Sequence, residues 1–153
     1  ETLRQLNLIE ALDEQVLAKK KPYLGICLGL EFLAQTSFEY GTHNGLGWLE
    51  ATVQKISPKG AGYRIPHMGW NDIRLGRPCP LYDGLASEPV FYFLHSYQFV
   101  ADDNAAEVVT ATCWHGTRIT ASVQKENIFG VQFHPEKSQR DGLLLLENFV
   151  KLI

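Results

Sequence analysis

Tyr23-Leu24-Gly25-Ile26-Cys27-Leu28-Gly29 decides how this chain is read, because an apolar run ends there on a cysteine set between two glycines. The run suits a short buried strand and Leu28 to Gln35 has the composition of a helix, so strand, sharp turn and helix follow one another directly. A cysteine at such a junction is the thiol counterpart of the G-x-S-x-G nucleophile elbow. Glycines two positions before and after it spare the tight turn from collisions with the elements packing around it, and the sulfur is pushed into the open. The helix beginning after Cys27 aims unpaired N–H groups at the sulfur, which predicts a lowered thiol pKa and makes the Leu28 N–H a natural oxyanion donor. The rival reading of Cys27 is a small buried hydrophobe at a strand end.

Upstream, Leu3, Leu6, Ile9, Leu12 and Val16 recur at spacings of three and four, which predicts an amphipathic helix closed by Lys19, Lys20, Lys21 and Pro22. Downstream of Gly41 the composition turns to β-branched and aromatic residues. Strands are predicted over 48–56, 90–100, 107–114, 117–124 and 128–133, with His115-Gly116 and Glu126-Asn127 as turns between the last three. Leucine-rich residues 142–152 predict a closing helix buried over much of its surface. The expected fold is α/β: a mainly parallel core sheet bearing the elbow, helices on its faces, and an antiparallel section from the middle and later strands.

The 153 residues contain no repeat or linker and read as a single domain over 1–153. With 45% hydrophobic and 20% charged residues the chain is globular, not disordered, collagen-like or coiled coil. A net charge of −3 offers no footprint for a phosphate backbone, so nucleic acid is not an expected partner. The longest apolar runs, residues 143–146 and 90–94, are far too short to cross a bilayer, so no membrane partner is expected either. Cys27, Cys79 and Cys113 are odd in number and widely spread, which points to free thiols in the cytoplasm.

A thiolate nucleophile needs a base, and Gln132-Phe133-His134-Pro135-Glu136-Lys137-Ser138 offers one at the end of a predicted strand. Residues two apart on an extended chain share a face, so Glu136 can lie beside His134, fix its tautomer and stabilise the imidazolium. Taken alone, the same residues also suit a surface loop with an incidental ion pair. Cys27, His67, His95, His134 and Glu136 could all ligate a metal. However, neither C-x-x-C nor H-E-x-x-H occurs, so no metal or other cofactor is expected.

The Cys27 elbow together with His134-Pro135-Glu136 resembles the class I (triad) glutamine amidotransferases, which have a flavodoxin-like fold. Pro66-His67-Met68-Gly69-Trp70-Asn71, His95-Ser96-Tyr97 and Lys137-Ser138 resemble, more narrowly, the glutaminase subunits of imidazole glycerol phosphate synthases, from histidine biosynthesis. The resemblance implies glutamine as substrate, with Cys27 as nucleophile, His134 as general base and acid, Glu136 as orienting carboxylate and Leu28 as one oxyanion donor. It places Gly29, Glu31, Glu39 and the His95-Ser96-Tyr97 segment around the substrate. It implies that Trp70, Asn71 and Lys137 face a (β/α)8 cyclase subunit that receives ammonia. Without the resemblance, Trp70 and Tyr97 read as packing residues, and Glu39 and Lys137 as surface charges.

Two departures from the family pattern stand out. The family has glutamine where this chain has Glu31, and a carboxylate there repels a substrate α-carboxylate while attracting its ammonium. The chain also begins in what resembles the middle of the family's domain, without its first strands and the Pro-Gly-x-Gly loop that supplies a second oxyanion donor. The sequence therefore leaves open the glutaminase of another synthase, a γ-glutamyl hydrolase, and a catalytically weak domain kept for binding a synthase.

Overall fold

The computed structural model describes residues 2–153. Its N-terminal helix is broken where the sequence predicts one continuous stripe. Helices α1 (Thr2–Gln5) and α2 (Leu8–Leu12) part at Asn7, whose φ of 53° is left-handed, and the chain widens into a π-helical stretch over Asp13–Ala18. Val16 is buried while Leu6 is exposed, so the stripe packs only at its end. That end is also tied down by the Trp48 indole N–H, which donates to Asp13 Oδ1 at 2.9 Å.

Strand β1 (Tyr23–Ile26) and helix α3 (Leu28–Glu31) flank Cys27 as the sequence predicts. The helix stops after one turn instead of reaching Gln35. The Phe32, Leu33 and Ala34 carbonyls accept N–H groups from Leu46, Leu49 and Gly47, so the following loop satisfies backbone groups that a longer helix would pair internally. The remaining elements are β2 (Thr36–Ser37), β3 (His43–Asn44), β4 (Ala51–Lys55), β5 (His67–Asp72), β6 (Arg74–Leu75), β7 (Val90–His95), β8 (Tyr97–Ala101), β9 (Val109–Trp114), β10 (Arg118–Lys125), β11 (Ile128–Val131) and α4 (Gln139–Val150).

The strands form a five-stranded sheet in the order β1-β11-β10-β9-β6, a four-stranded sheet β3-β2-β4-β8, and the pair β5-β7. The α/β class is as expected, but among the described residues parallel pairing is confined to β1–β11 and β2–β4, and the other six strand pairings are antiparallel. The cause is local: β9, β10 and β11 are joined by tight turns at Gly116 (φ 68°) and Glu126 (φ 52°), and only antiparallel neighbours can be joined that way. The single strand expected over 90–100 divides at Ser96. There β7 leaves its partner β5, and β8 begins pairing with β4.

Two hydrophobic clusters hold the sheets together. Phe91, Phe93, Ile119, Val131, Phe133 and Leu145 fill one; Leu30, Leu33, Val53, Phe99 and Val123 fill the other. Each such side chain contributes roughly 1.5–3 kcal/mol by its burial. Helix α4 buries Gly142, Leu145 and Asn148 but exposes Leu143 and Val150, so it is half covered and not mostly buried as its leucine content suggests. A side chain at Gly142 would be driven into the Pro135 carbonyl, and this close approach seats α4 against the loop that carries His134. Among the described residues, no helix is long and apolar enough to cross a membrane.

Candidate active site

Cys27 has φ 50° and ψ −104°, a conformation that costs a non-glycine residue on the order of 1–3 kcal/mol. Its backbone is held from both sides. The N–H donates to the Val131 carbonyl of β11 at 2.8 Å, and its own carbonyl accepts N–H groups of Leu30 and Glu31 at 3.0 and 3.2 Å. The steric demand expected of both flanking glycines falls on one. A Cβ at Gly25 would collide with the Gly29 backbone, whereas a Cβ at Gly29 meets nothing nearer than the Tyr23 hydroxyl at 3.8 Å.

The sulfur lies 3.9 Å from the Leu94 carbonyl oxygen and 3.9 Å from Gln132 Nε2. Burial pushes the thiol pKa up, the Glu31 charge pushes it further, and the Leu28 N–H and the Gln132 amide oppose them. The lowered pKa predicted from a helix dipole is therefore overturned, because a single turn of helix is outweighed by desolvation and a neighbouring carboxylate. Leu28 nevertheless presents its N–H to the sulfur, as an oxyanion donor must.

Glu31 is buried, and the Gln132 amide donates to its Oε1 at 3.3 Å. Burial raises the Glu31 carboxyl to about 7, with the charge of Glu39 adding to the rise and Gln132 opposing it. Gln132 is fully buried and its Oε1 has no protein partner. The sequence reading gave it no role, although a glutamine closing an otherwise apolar strand was a visible signal. The Tyr97 ring tilts against Tyr40 with centroids 6.3 Å apart.

His134 Nδ1 lies 2.8 Å from Glu136 Oε1, so Nδ1–H donates to the carboxylate and Nε2 remains a free acceptor. The pairing does not come from extended alternation. Pro135–Lys137 form a 3₁₀ turn after β11, and the turn swings Glu136 back onto the ring. Ser138, also assigned no role from sequence, holds this turn: its hydroxyl donates to the His134 carbonyl at 2.6 Å and accepts the Tyr92 N–H at 2.9 Å. The His134 N–H in turn donates to the Tyr92 carbonyl at 2.8 Å.

Register brings the two halves of the site together. Ile26 pairs with Val131 in the parallel β1–β11 ladder, so Cys27 and the His134 loop leave the same, carboxyl end of adjacent strands. The Glu136 carboxylate is close enough to push the Cys27 thiol upward. Carboxyl ends of parallel strands are where open α/β sheets commonly place ligands.

Other assignments shift. The His95 imidazole is buried and set against His67. Trp70 and Asn71 are successive residues of β5 and cannot share a face. Trp70 points outward, half exposed, with Met68, Tyr92 and Leu94 on the same face of the β5–β7 pair, whereas Asn71 turns inward to the His67 ring. The two side chains therefore stand on opposite faces of the pair, Trp70 on the open one. Lys137 is exposed on the turn beside Glu136.

The family model for class-I glutamine amidotransferases matches residues 5–152. The chain is 47% identical over 150 residues to imidazole glycerol phosphate synthase subunit HisH 1 of Campylobacter jejuni, an overlap covering 98% of this chain and 73% of that one. It is 42% identical over 153 residues to subunit HisH of Pelagibacter ubique, covering 99% and 73%. Among solved structures, a glutamine amidotransferase superposes with a TM-score of 0.67 at 21% identity, over 98% of this chain and 70% of that chain. A glutamine amidotransferase from Thermotoga maritima superposes with a TM-score of 0.62 at 20% identity, over 97% and 53%. The two structures speak to the fold, and the family model and sequence relatives to descent: this chain belongs to the class I glutamine amidotransferase family.

Proposed function

We propose that this chain hydrolyses glutamine to glutamate and ammonia, and passes the ammonia to a (β/α)8 cyclase subunit that makes imidazole glycerol phosphate for histidine biosynthesis. One observation carries the reading: a strained cysteine and a carboxylate-held imidazole leave the same end of one parallel strand pair. The names of the relatives supply the synthase.

In this reading Cys27 Sγ attacks the side-chain amide carbon of glutamine. The thiol is held above its ordinary pKa, so its proton leaves for His134 Nε2 as the S–C bond forms. The Leu28 N–H stabilises the oxyanion. As the C–N bond breaks, His134 returns the proton to the departing ammonia, and Glu136 stabilises the imidazolium in between. Water, deprotonated by the same imidazole, then attacks the thioester carbon; the C–S bond breaks, glutamate is freed, and His134 returns the proton to the Cys27 sulfur. Glu31 and Glu39 supply carboxylates for the substrate ammonium. With its pKa near 7, Glu31 carries a proton for part of the time at neutral pH, which relieves its repulsion of the substrate carboxylate. Trp70 and Lys137 sit on the face offered to the cyclase. The three free thiols suit the cytoplasm.

The raised thiol pKa favours a second reading, a weakly catalytic subunit kept for binding its synthase. Ammonia release from glutamine, measured with and without the cyclase subunit, separates the two. Release that rises with the cyclase and vanishes in Cys27→Ala supports hydrolysis. Unchanged release in Cys27→Ala defeats it, and a complex that forms yet releases no ammonia establishes the second.

A further inference from the structure

Behind the β5–β7 pair lies a buried line of hydrogen bonds that the reaction above does not use. His95 Nδ1 is 2.7 Å from the Tyr97 carbonyl oxygen, which can only accept, so Nδ1 carries the proton and Nε2 is bare. Bare Nε2 lies 2.9 Å from His67 Nδ1, which must therefore donate. His67 Nε2 is then an acceptor, and Asn71 Nδ2 stands 3.2 Å from it. The same Asn71 amide donates to the carbonyl of exposed Trp114 at 3.0 Å. Each tautomer is fixed by the next partner, and the line runs one way, from the sheet rim at Asn71 to the Tyr97 carbonyl.

Packing prevents alternatives. The His67 ring is sandwiched between Phe93 and His115, with centroids 4.6 and 4.1 Å away and planes within 24° of parallel. Its inner end meets a point of weak local support, the Ser96 junction where the chain changes sheets. There the His95–Tyr97 bond spans Ser96, and the Ser96 carbonyl accepts the Ile56 N–H at 3.0 Å.

We infer that His67 is a positioning residue: by donating to His95 it fixes the ring that holds the Ser96–Tyr97 turn, and so shapes the backbone against which glutamine lies. The role in glutamine binding rests on the proposed function; the hydrogen-bond relay itself does not. Charged and titratable neighbours agree with a neutral line. His67 faces His95 and His115, His95 faces His67, His115 and His134, and among the described residues no carboxylate is set against either ring. Burial and these like-charged neighbours hold His67 at about 3 and His95 at about 4, although the Tyr97 carbonyl opposes the fall at His95.

The test is His67→Phe, which keeps the stacked ring and removes both nitrogens, beside His67→Gln, whose amide can again donate to His95 and accept from Asn71. With the cyclase subunit present, the phenylalanine variant is expected to raise the KM for glutamine about tenfold, with kcat within threefold of wild type. The ratio of its KM to that of wild type should climb further as pH falls from 8 to 6, and the glutamine variant should recover most of the loss. Nitrogen-15 NMR of the chain alone should show His95 neutral with Nδ1 protonated in wild type, and titrating at higher pH in His67→Phe, with faster amide exchange at Tyr97. Wild-type KM and unchanged His95 and Tyr97 signals in a folded His67→Phe overturn the relay. Should wild type hydrolyse no glutamine, the functional reading fails and the NMR signals alone decide the relay: altered in His67→Phe they support it, unaltered they overturn it.

Discussion

His134 and the His67–His95 pair are the same side chain in two settings. His134 keeps partial access to solvent and sets Nδ1 against a carboxylate, so its ring is oriented by Glu136. His67 and His95 are buried, and their nitrogens meet a carbonyl, an amide and each other, so both rings are kept neutral. The contrast shows that the chemistry of an imidazole here is decided by what its Nδ1 proton meets. A carboxylate makes a base, whereas a carbonyl or another ring makes a structural joint. Cys27 adds to the contrast, since burial and the Glu31 charge hold its thiol above the ordinary pKa.

The largest effect expected is at His134. His134→Ala should reduce glutamine hydrolysis by roughly 10⁴-fold or more and slow alkylation of Cys27 at neutral pH. A loss of that size in a folded His67→Phe variant would erase the distinction. Next comes Glu136→Gln, which leaves the ring in place but removes the charge that orients it. A fall of about 10²–10⁴-fold in kcat with little change in KM is expected, and near-normal turnover would show that the carboxylate is incidental.

A third prediction concerns pH and stability, where the buried histidines and Glu31 oppose each other. His67 and His95 have folded values of about 3 and 4 against an ordinary 6.5, so the unfolded chain binds protons that the folded one refuses. Their contribution is complete above pH 6.5 and drains away as pH falls toward 4 and 3. Glu31 has a folded value of about 7 against an ordinary 4.5, so its contribution is complete below 4.5 and is lost as pH rises through about 7. Glu31→Gln removes the opposing slope. Urea midpoints between pH 4.5 and 7 should therefore rise more steeply with pH in this variant than in wild type; parallel profiles would contradict the assignment.

The smallest effect is kinetic. Taking away the Glu31 charge removes one cause of the raised Cys27 thiol, so Glu31→Gln should speed alkylation of Cys27 at pH 7 by a few-fold. An unchanged rate would mean that desolvation alone holds the thiol.

Much of this was legible along the chain. The Gly25-Ile26-Cys27 junction, the turns at Gly116 and Glu126, and the His134–Glu136 pairing are local, and each follows from residues within a few positions of one another. The depressed thiol pKa was misread because the sequence shows a helix start after Cys27 but not its length. That length was settled by loop N–H groups from Leu46, Gly47 and Leu49 capturing the Phe32, Ala34 and Leu33 carbonyls just past the helix. Gln132 and Ser138 went unassigned because their partners Glu31 and Tyr92 are distant in sequence. Trp70 and Asn71 were placed together only by the family resemblance, whereas strand alternation sends their side chains to opposite faces.

The sequence by itself determined the strained cysteine, the imidazole–carboxylate unit, the α/β class and the family resemblance. Steric strain, turn propensity and short-range hydrogen bonding act between near neighbours, and a linear text records near neighbours. Only the tertiary structure decided that β1 and β11 lie side by side, that Glu31 is buried beside the sulfur, and that His67 meets His95 across two strands. Burial and long-range register set the dielectric and the partners of each ionisable group, and they come into being only when remote segments pack together.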